Sequence, residues 1–333
     1  MKRWILLPLL PLLLALAACS PPPATEQKLR VGYVRVMDDA QAILAYEAGL
    51  YKKHGLNAEL IEFNSGTDLI KAIVGAQLDI GVLGFSNAFT WVSRGADLKI
   101  VGGAQRGYHS LLVRTDSGIT EIADLKGKSL ASQKQGSTAD IVLKGVVLAG
   151  AGLQPSDLNI MGVAPAVAVQ SLVGGRVDAA FLFEPYDRIA QLVAPVEQIY
   201  EIGEVWPFPC MVVITAGETL EKREEVIWAA LDAQREAIQM LQEKPEEAAS
   251  LITDYFIKED TLSTLNQGEI PSEQVIEQAI KTQDFSSKLT EADISRMKEL
   301  AGIMQAQGIL PSENGSFDVD ALLDLSWQKA RKL

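Results

Sequence analysis

Two stretches of the chain, 99 residues apart, share one pattern, and this internal repeat limits the folds that the sequence can adopt. The stretch IKAIVGAQLDIGVLGFSNA (70–88) aligns with VQSLVGGRVDAAFLFEPYD (169–187). The identical positions pair Val74 with Val173, Gly75 with Gly174, Asp79 with Asp178, and Leu83 with Leu182. An offset this large exceeds the roughly 20–50-residue periods of solenoid repeats. We therefore expect an α/β fold built from two similar lobes.

The same order of strands and helices is predicted around both stretches. Short β-branched runs predict strands, and apolar residues at helical spacing predict helices. The first half reads as strand 29–36, helix 40–54, strand 58–63, helix 67–74 and strand 79–83. The second half reads as strand 128–132, helix 138–151, strand 158–163, helix 166–173 and strand 177–183. Asp79 and Asp178 lie where a predicted helix gives way to a strand, and we expect each to stabilise the turn there.

The chain after residue 215 is predicted to be helical. Amphipathic patterns cover residues 218–243, 245–256, 272–283, 291–307 and 319–332. Pro271 is expected as the first residue of its helix, and TEAD (290–293) carries a capping signal. No linker separates these helices from the rest, so we expect them to pack on one lobe.

The N-terminus has the layout of a secretory signal peptide. Lys2 and Arg3 precede an apolar run over residues 5–16, which is too short for an ordinary membrane span. The tetrapeptide LAAC (16–19) resembles the bacterial lipobox, which implies that Cys19 carries a lipid and becomes the first mature residue. The alternative is a plain signal cleaved after Ala-x-Ala. We predict a signal peptide over 1–18, a proline-rich anchored linker over 19–27, and a protein held outside the bacterial cell membrane.

Charge and cysteine count exclude several classes of function. Without the two basic residues of the signal, 28 Lys and Arg face 43 Asp and Glu, a formal charge of −15. Nucleic acid, which requires a basic face, is therefore not an expected partner. With the first cysteine lipidated, only Cys210 remains, so no intrachain disulfide is available. His54 and His109 lie outside any ligand motif, and we expect no metal site, no cofactor and no catalytic triad.

Polar or glycine-containing segments follow the predicted strands. In open α/β sheets, ligands bind beyond the carboxyl ends of the strands. Two lobes that face each other across these ends would enclose a cleft. The segments are 37–39, 64–66, 84–87, 133–138, 164–165 and 184–186.

Five motifs, in order, resemble the substrate-binding proteins of bacterial ABC importers. The resemblance is to the nitrate, sulfonate and taurine branch, with its thiamine-pyrimidine relatives, and it spans about residues 28–215. The motifs are AYEAGLYKKHGLNAELIEFNSG (45–66), GAQLDIGVLGFSNA (75–88), DLKGKSLAS (124–132), LAGAGLQPSDLNIM (148–161) and GGRVDAAFLFEP (174–185).

This resemblance implies a type II periplasmic-binding-protein fold. The chain would cross between lobes at SLLVRTD (110–116) and MVVITA (211–216). Lobe 1 would comprise 28–113 plus 212–333, and lobe 2 would comprise 114–211. A monomer would trap a small molecule by hinge closure and dock on a permease with its ATPase.

Predicted helix N-termini supply one set of candidate ligand-binding residues. Free backbone N–H groups and hydroxyls there suit an anionic or carbonyl oxygen, although ordinary capping is the alternative. Ser86 and Asn87 follow a buried strand and should point into the cleft. The helix-terminal candidates are Ser65, Gly66, Gln135, Ser137 and Thr138.

Acidic residues at strand ends favour a cationic or hydrogen-donating ligand instead. Asp38 and Asp39 follow the first strand, where one of them could simply cap a helix. The family resemblance places Glu184, with its proline, at the cleft wall. Arg35 and Arg106 could supply positive charge, but solvated or salt-bridged positions are favoured for both.

The remaining candidates are aromatic, amide or thiol side chains. Phe85, Tyr186 and Trp206 are candidates for the pocket lining, with core packing as the alternative for each. Gln105 ends a predicted strand, and Cys210 lies just before the return crossing, where burial as a structural cysteine is the alternative.

We predict a non-enzymatic solute receptor of an ABC importer. A sulfonate or nitrate-like anion and a nitrogen heterocycle both remain candidate ligands. Two other functions remain open: a ligand-sensing lipoprotein of a two-component system, and an enzyme related to pyrimidine synthases.

Overall fold

The computed structural model describes residues 26–312 and 315–333. The predicted signal peptide, Cys19 and residues 20–25 of the predicted linker lie outside these ranges, and their assignment stays a prediction. Within the described ranges, no helix combines the length and the apolar character needed to cross a membrane.

The first part of the chain alternates strands and helices. Its elements are β1 (Gln27–Val34), α1 (Ala40–Glu47), α2 (Leu50–Lys53), β2 (Leu56–Phe63), α3 (Gly66–Val74), β3 (Ile80–Gly84), α4 (Phe85–Val92) and β4 (Leu98–Arg106).

The middle part repeats this alternation. Its elements are β5 (Ser110–Arg114), β6 (Ser129–Ser132), α5 (Thr138–Val142), β7 (Asn159–Gly162), α6 (Pro165–Val173), β8 (Ala179–Leu182), α7 (Tyr186–Val193), β9 (Val196–Glu201) and α8 (Ile202–Val205).

The last part is mainly helical. Its elements are β10 (Met211–Ala216), α9 (Gly217–Glu243), α10 (Pro245–Phe256), β11 (Thr261–Thr264), β12 (Gly268–Pro271), α11 (Ser272–Lys281), β13 (Asp284–Phe285), α12 (Glu291–Ala306) and α13 (Ser326–Ala330).

The strands form two main sheets with equivalent orders. The first sheet runs β13-β4-β10-β3-β1-β2, and the second runs β7-β6-β8-β5-β9. In each sheet one antiparallel strand lies beside the third parallel strand: β10 beside β3, and β5 beside β8. We call each sheet with its surrounding helices a lobe. The two connections between the lobes lie between β4 and β5 and between α8 and β10.

The predicted repeat is confirmed at the level of individual hydrogen bonds. Helices α3 and α6 are offset by 99 residues at both ends. The Asp79 carboxylate accepts a hydrogen bond from the backbone N–H of Arg30 at 2.7 Å, and the Asp178 carboxylate accepts one from Ser129 at 2.8 Å. Arg30 and Ser129 are themselves 99 residues apart. Both aspartates therefore stabilise the turn before a strand, as the sequence predicted.

The sheets include several residues that lie on the other side of a predicted boundary. Residues 110–113, which the predicted boundary assigns to lobe 1, pair with β8 and β9 in the second sheet. Residue 211, assigned to lobe 2, pairs with β3 and β4 in the first sheet. Strand β1 begins at Gln27, the last residue of the predicted linker.

Two long predicted helices are interrupted. The helix predicted over 40–54 divides into α1 and α2 because Gly49 adopts a left-handed conformation, with φ of 68°. The segment predicted as one helix over 319–332 contains only a short 3-10 turn, Asp320–Leu322, and α13. Between them Leu323 bridges to Ile100 of β4, so its backbone is extended rather than helical.

Other differences concern the helical half. Pro271 ends β12 and lies just before α11 rather than at its first residue. The hairpin of β11 and β12 was not predicted. The helices do not pack on one lobe alone, since the Gln307 side chain after α12 donates to the Ile141 carbonyl of α5 at 3.2 Å.

Candidate ligand-binding site

A small cavity of about 40 Å³ lies between the two lobes, at the carboxyl ends of the parallel strands. The first lobe contributes residues after β1, at the start of α3, around β3 and at the start of β10. The second lobe contributes residues after β6, at the start of α5 and after β8. Its polar lining residues are Asp38, Asn87, His109, Gln133, Ser137, Thr138 and Cys210, and Gly66 also lines it.

Direct contacts hold the lobes together over this cavity. The Ser86 and Thr138 hydroxyl oxygens are 2.8 Å apart and share a hydrogen bond. Gly84 approaches so closely that a Cβ added to it would lie 2.1 Å from the Thr138 hydroxyl. On the other side, the Tyr186 hydroxyl donates to the Arg35 carbonyl at 3.1 Å. Because pockets for drug-sized ligands usually measure about 300–1,000 Å³, the cleft is closed here around a much smaller space.

The cavity floor carries three buried groups of different chemistry. Asp38, His109 and Cys210 are each at most 2% exposed, and their potential ligand atoms all lie within 4.8 Å of one another. Burial, together with the nearby Asp187 charge, raises the pKa of Asp38 to about 8. Burial lowers the pKa of His109 to about 3 and raises that of the Cys210 thiol.

Asp39 and Glu184 are not among the lining residues of the cavity and have structural partners. The Asp39 carboxylate accepts a hydrogen bond from the Val34 backbone N–H at 2.7 Å and so fixes the turn after β1. Glu184 accepts from the Thr282 hydroxyl at 3.0 Å. Burial and the neighbouring Asp187 charge raise the pKa of Glu184 well above its ordinary value.

Two serines at helix starts act as caps. Ser65 accepts from the Asp68 backbone N–H, and Ser137 accepts from the Asp140 backbone N–H, each at 3.2 Å. Ser137 also lines the cavity, so capping and cavity contact coexist there.

Several other candidates contact protein rather than the cavity. Phe85 packs on Phe89 with ring centroids 5.0 Å apart, and Trp206 lies between Phe208 and the Arg296 guanidinium. The Gln105 amide donates to Gln283 at 2.6 Å. Both candidate arginines are salt-bridged: Arg35 to Glu62 at 2.7 Å and Arg106 to Asp293 at 3.0 Å.

A larger groove of about 880 Å³ opens beside the cavity and shares Asn87 with it. Gln135 lines this groove, together with residues of α3, α4, α5 and α12. Its charged lining residues are Lys71, Arg94, Lys144 and Asp140, a net excess of positive charge. Lys144 pairs with Asp140 at 2.6 Å and Lys71 pairs with Asp68 at 3.2 Å, so among the described lining cations Arg94 is the one without a salt bridge.

His109, Gln133 and Phe183 line the cavity but were not among the predicted site residues. His109 directly precedes β5, just as Cys210 directly precedes β10. The rule that places Cys210 near the cleft, at the start of a crossing strand, would also have identified His109. Gln133 and Phe183 directly follow β6 and β8, at strand ends that the sequence had already marked.

Sequence comparison identifies the family to which the chain belongs. A model of the NMT1-like family matches residues 22–253. A relative from Brucella abortus (strain 2308), named as a binding protein, is 25% identical over 264 residues, 78% of this chain and 81% of the relative. A protein of Escherichia coli (strain K12), named for binding aliphatic sulfonates, is 31% identical over 182 residues, 54% of each chain.

Solved structures identify the fold. The periplasmic aliphatic sulphonate binding protein SsuA from Escherichia coli superimposes with a TM-score of 0.74 at 22% identity, covering 92% of this chain and 99% of SsuA. The predicted type II periplasmic-binding-protein fold is thereby confirmed.

Proposed function

This chain belongs to the NMT1-like family, and on that premise we propose that it is the extracytoplasmic binding component of an ABC importer. It captures a small polar molecule between its lobes and delivers it to a permease with its ATPase. The observation that carries this proposal is the cavity at which polar side chains of both lobes meet. Such a site can be assembled by closure and opened by a hinge motion about the two connections.

The names of the relatives support a protein that binds a small molecule without catalysing a reaction. They are described as binding proteins, and two of those compared are described as binding aliphatic sulfonates. The cavity is lined by both polar and apolar side chains, which suits recognition of a small molecule.

The charge of the groove supports an anionic ligand. Lys71 and Lys144 line the groove in salt bridges with Asp68 and Asp140, and in the described part of the chain Arg94 lines it without a salt bridge. A ligand whose anionic group faces this groove gains favourable electrostatic energy as the lobes exclude water. We propose a small organic anion of the sulfonate class as the ligand.

A thermal-shift measurement on the purified protein tests the ligand class. At a concentration 100 times its Kd, a ligand should stabilise the fold by about 2.7 kcal/mol and raise Tm by roughly 5 °C. We expect this shift with taurine, methanesulfonate or MOPS. A shift with 4-amino-2-methylpyrimidine and none with any sulfonate would replace the anion by a heterocycle. If no sulfonate and no heterocycle shifts Tm, the proposal that the chain is a solute receptor is contradicted.

A matched pair of charge variants locates the binding. Arg94→Gln should weaken binding of an active sulfonate roughly tenfold, since a hydrogen bond to a charged group is lost. Arg176→Gln removes the same charge from an exposed position outside both cavities and should leave affinity unchanged. If both variants change the affinity equally, the groove is not the site that binds the anionic group.

The lipid anchor is proposed from the N-terminal sequence. Mass spectrometry of the protein extracted from membranes should show Cys19 as the first residue, carrying diacylglycerol. A Cys19→Ala variant should be released in soluble form. An N-terminal peptide that retains Leu16, with an unmodified Cys19, would contradict the anchor.

A further inference from the structure

We propose that Asp38, His109 and Cys210 form a zinc site at the floor of the cleft. This goes beyond the proposed function, because the site would exist whether or not the chain serves an importer. The three residues come from the turn after β1, the start of β5 and the start of β10, so the fold alone brings them together.

The geometry of the three donors is close to that of a coordinated ion. Their potential ligand atoms lie within 4.8 Å of one another. Donor atoms around tetrahedral zinc lie about 3.3–3.8 Å apart, given bond lengths of about 2.0–2.3 Å. Side-chain movements of about 1 Å would therefore bring the set to coordination distance.

Two of the proposed zinc ligands each carry an atom without a hydrogen-bond partner in the described part of the chain. Within the part of the chain that the structure describes, Asp38 Oδ1 and His109 Nδ1 are buried without a hydrogen-bond partner. A buried polar atom left unpaired destabilises the folded state. A metal ion bound between these atoms would remove both sources of destabilisation at once.

The charges around the site favour a cation. The other ionisable groups that act electrostatically on the Asp38 carboxylate are Asp187 and Glu201, both acidic. A zinc ion with one thiolate, one carboxylate and one neutral imidazole makes an uncharged unit, which suits a buried position. Burial raises the pKa of both Asp38, to about 8, and Cys210, so binding of the ion releases a proton from each of these groups to solvent.

The combination of sulfur, nitrogen and oxygen donors selects the metal. Thiolate and imidazole together favour zinc over magnesium or calcium, which prefer oxygen ligands. Three protein ligands leave the fourth position of a tetrahedral zinc open. That position faces the 40 Å³ cavity, which is large enough for water or for one donor atom of a ligand.

The sequence predicted no metal site because neither histidine lies in a ligand motif and only Cys210 remains as a free thiol. His109 belongs to no motif, and 71 and 101 residues separate the successive donors. The chain crosses twice between the lobes, so segments that are far apart in the sequence meet at the cleft. A metal site can therefore form without a local ligand motif.

Zinc binding to the full chain tests the proposal. Cys19→Ser should be introduced first, so that Cys210 is the only thiol in the sequence. After chelator treatment, added Zn²⁺ should bind with a stoichiometry of one per chain, measured by elemental analysis after gel filtration. Added Co²⁺ should give a thiolate-to-metal charge-transfer band. A stoichiometry below about 0.1, or a cobalt spectrum without that band, would overturn the site.

Single substitutions provide the residue-level test. Cys210→Ser, His109→Gln and Asp38→Asn should each weaken zinc binding by more than about 100-fold, since loss of even an outer-shell partner can cost 10–100-fold. The matched control is His54→Gln, which removes the only other histidine at the partly exposed His54–Glu236 pair. Undiminished binding in the Cys210→Ser chain, or an equal loss in the His54→Gln chain, would contradict the assignment.

Discussion

A Gly84→Ala substitution is expected to hold the cleft open and to raise the reactivity of Cys210 about tenfold. The added Cβ would lie 2.1 Å from the Thr138 hydroxyl, across the interface of the two lobes. Gly84 has a φ of −59°, which alanine adopts without strain, so the effect should fall on closure rather than on the lobe's own fold. Overpacking costs about 1–3 kcal/mol, and a shift of 1.4 kcal/mol changes an equilibrium tenfold.

Cys210 reports this opening because it is only 1% exposed in the closed arrangement. The measurement is the rate of maleimide labelling in a Cys19→Ser chain. Gly302→Ala is the control: a Cβ added there has nothing within 4 Å, so its labelling rate should match that of the parent chain. Adding Thr138→Ala to Gly84→Ala removes the clashing oxygen and should slow labelling again. Equal labelling of the Gly84→Ala and Gly302→Ala chains would contradict the predicted clash.

Asp79→Asn is expected to destabilise the fold by about 2–3 kcal/mol, because hydrogen bonds to a charged group are lost. The Asp79 side chain is 4% exposed and pairs with Arg30 at 3.0 Å and with Arg223 at 2.6 Å. The two arginine side chains are 39% and 31% exposed, so solvent partly compensates their charges when the carboxylate is removed. Urea unfolding of the variant gives the free-energy difference.

The repeat supplies a matched control for this prediction. Asp178 occupies the equivalent turn but accepts hydrogen bonds from the Ser129 backbone and hydroxyl rather than from arginines. Asp178→Asn should therefore cost only about 1–2 kcal/mol. Equal losses at the two positions would show that the shared turn, and not the arginines, carries the energy.

Asp79 should also contribute to acid sensitivity. Burial alone would raise the pKa of Asp79, but hydrogen bonds from Arg30 and the charges of Arg223 and Arg30 outweigh it, so the pKa is lowered. The stability that this carboxylate contributes is thus present above its ordinary pKa of about 3.9 and is lost as pH falls through the lower folded value. The Asp79→Asn chain should lose less stability than the parent between about pH 4 and pH 2. A parallel decline of the two chains would contradict this role.

The helices and strands of both lobes were predictable because the same pattern of apolar residues, glycine and aspartate occurs twice in the sequence. Helices α3 and α6, and the aspartates that precede β3 and β8, were located from the 99-residue offset. Alternation of β-branched runs with helical periodicity fixes such elements locally, and glycine ends several of them.

The C-terminal half was less predictable because tertiary pairing overrides its helical pattern. Leu323 is extended since it bridges to Ile100 of β4, more than 200 residues earlier. The β11–β12 hairpin lies in a segment whose sequence shows no strong strand alternation. A contact between residues as far apart in the chain as Ile100 and Leu323 leaves no local signal in the sequence.

The sequence by itself determined the repeated α/β architecture and the strand ends that face the cleft. Only the tertiary structure decided which side chains meet there. Asp38 lines the cavity while its neighbour Asp39 turns back to the Val34 N–H, and His109 reaches the same floor as Cys210. The reason is physical: strand order places a loop at the cleft, but the direction of each side chain depends on packing against segments distant in the chain.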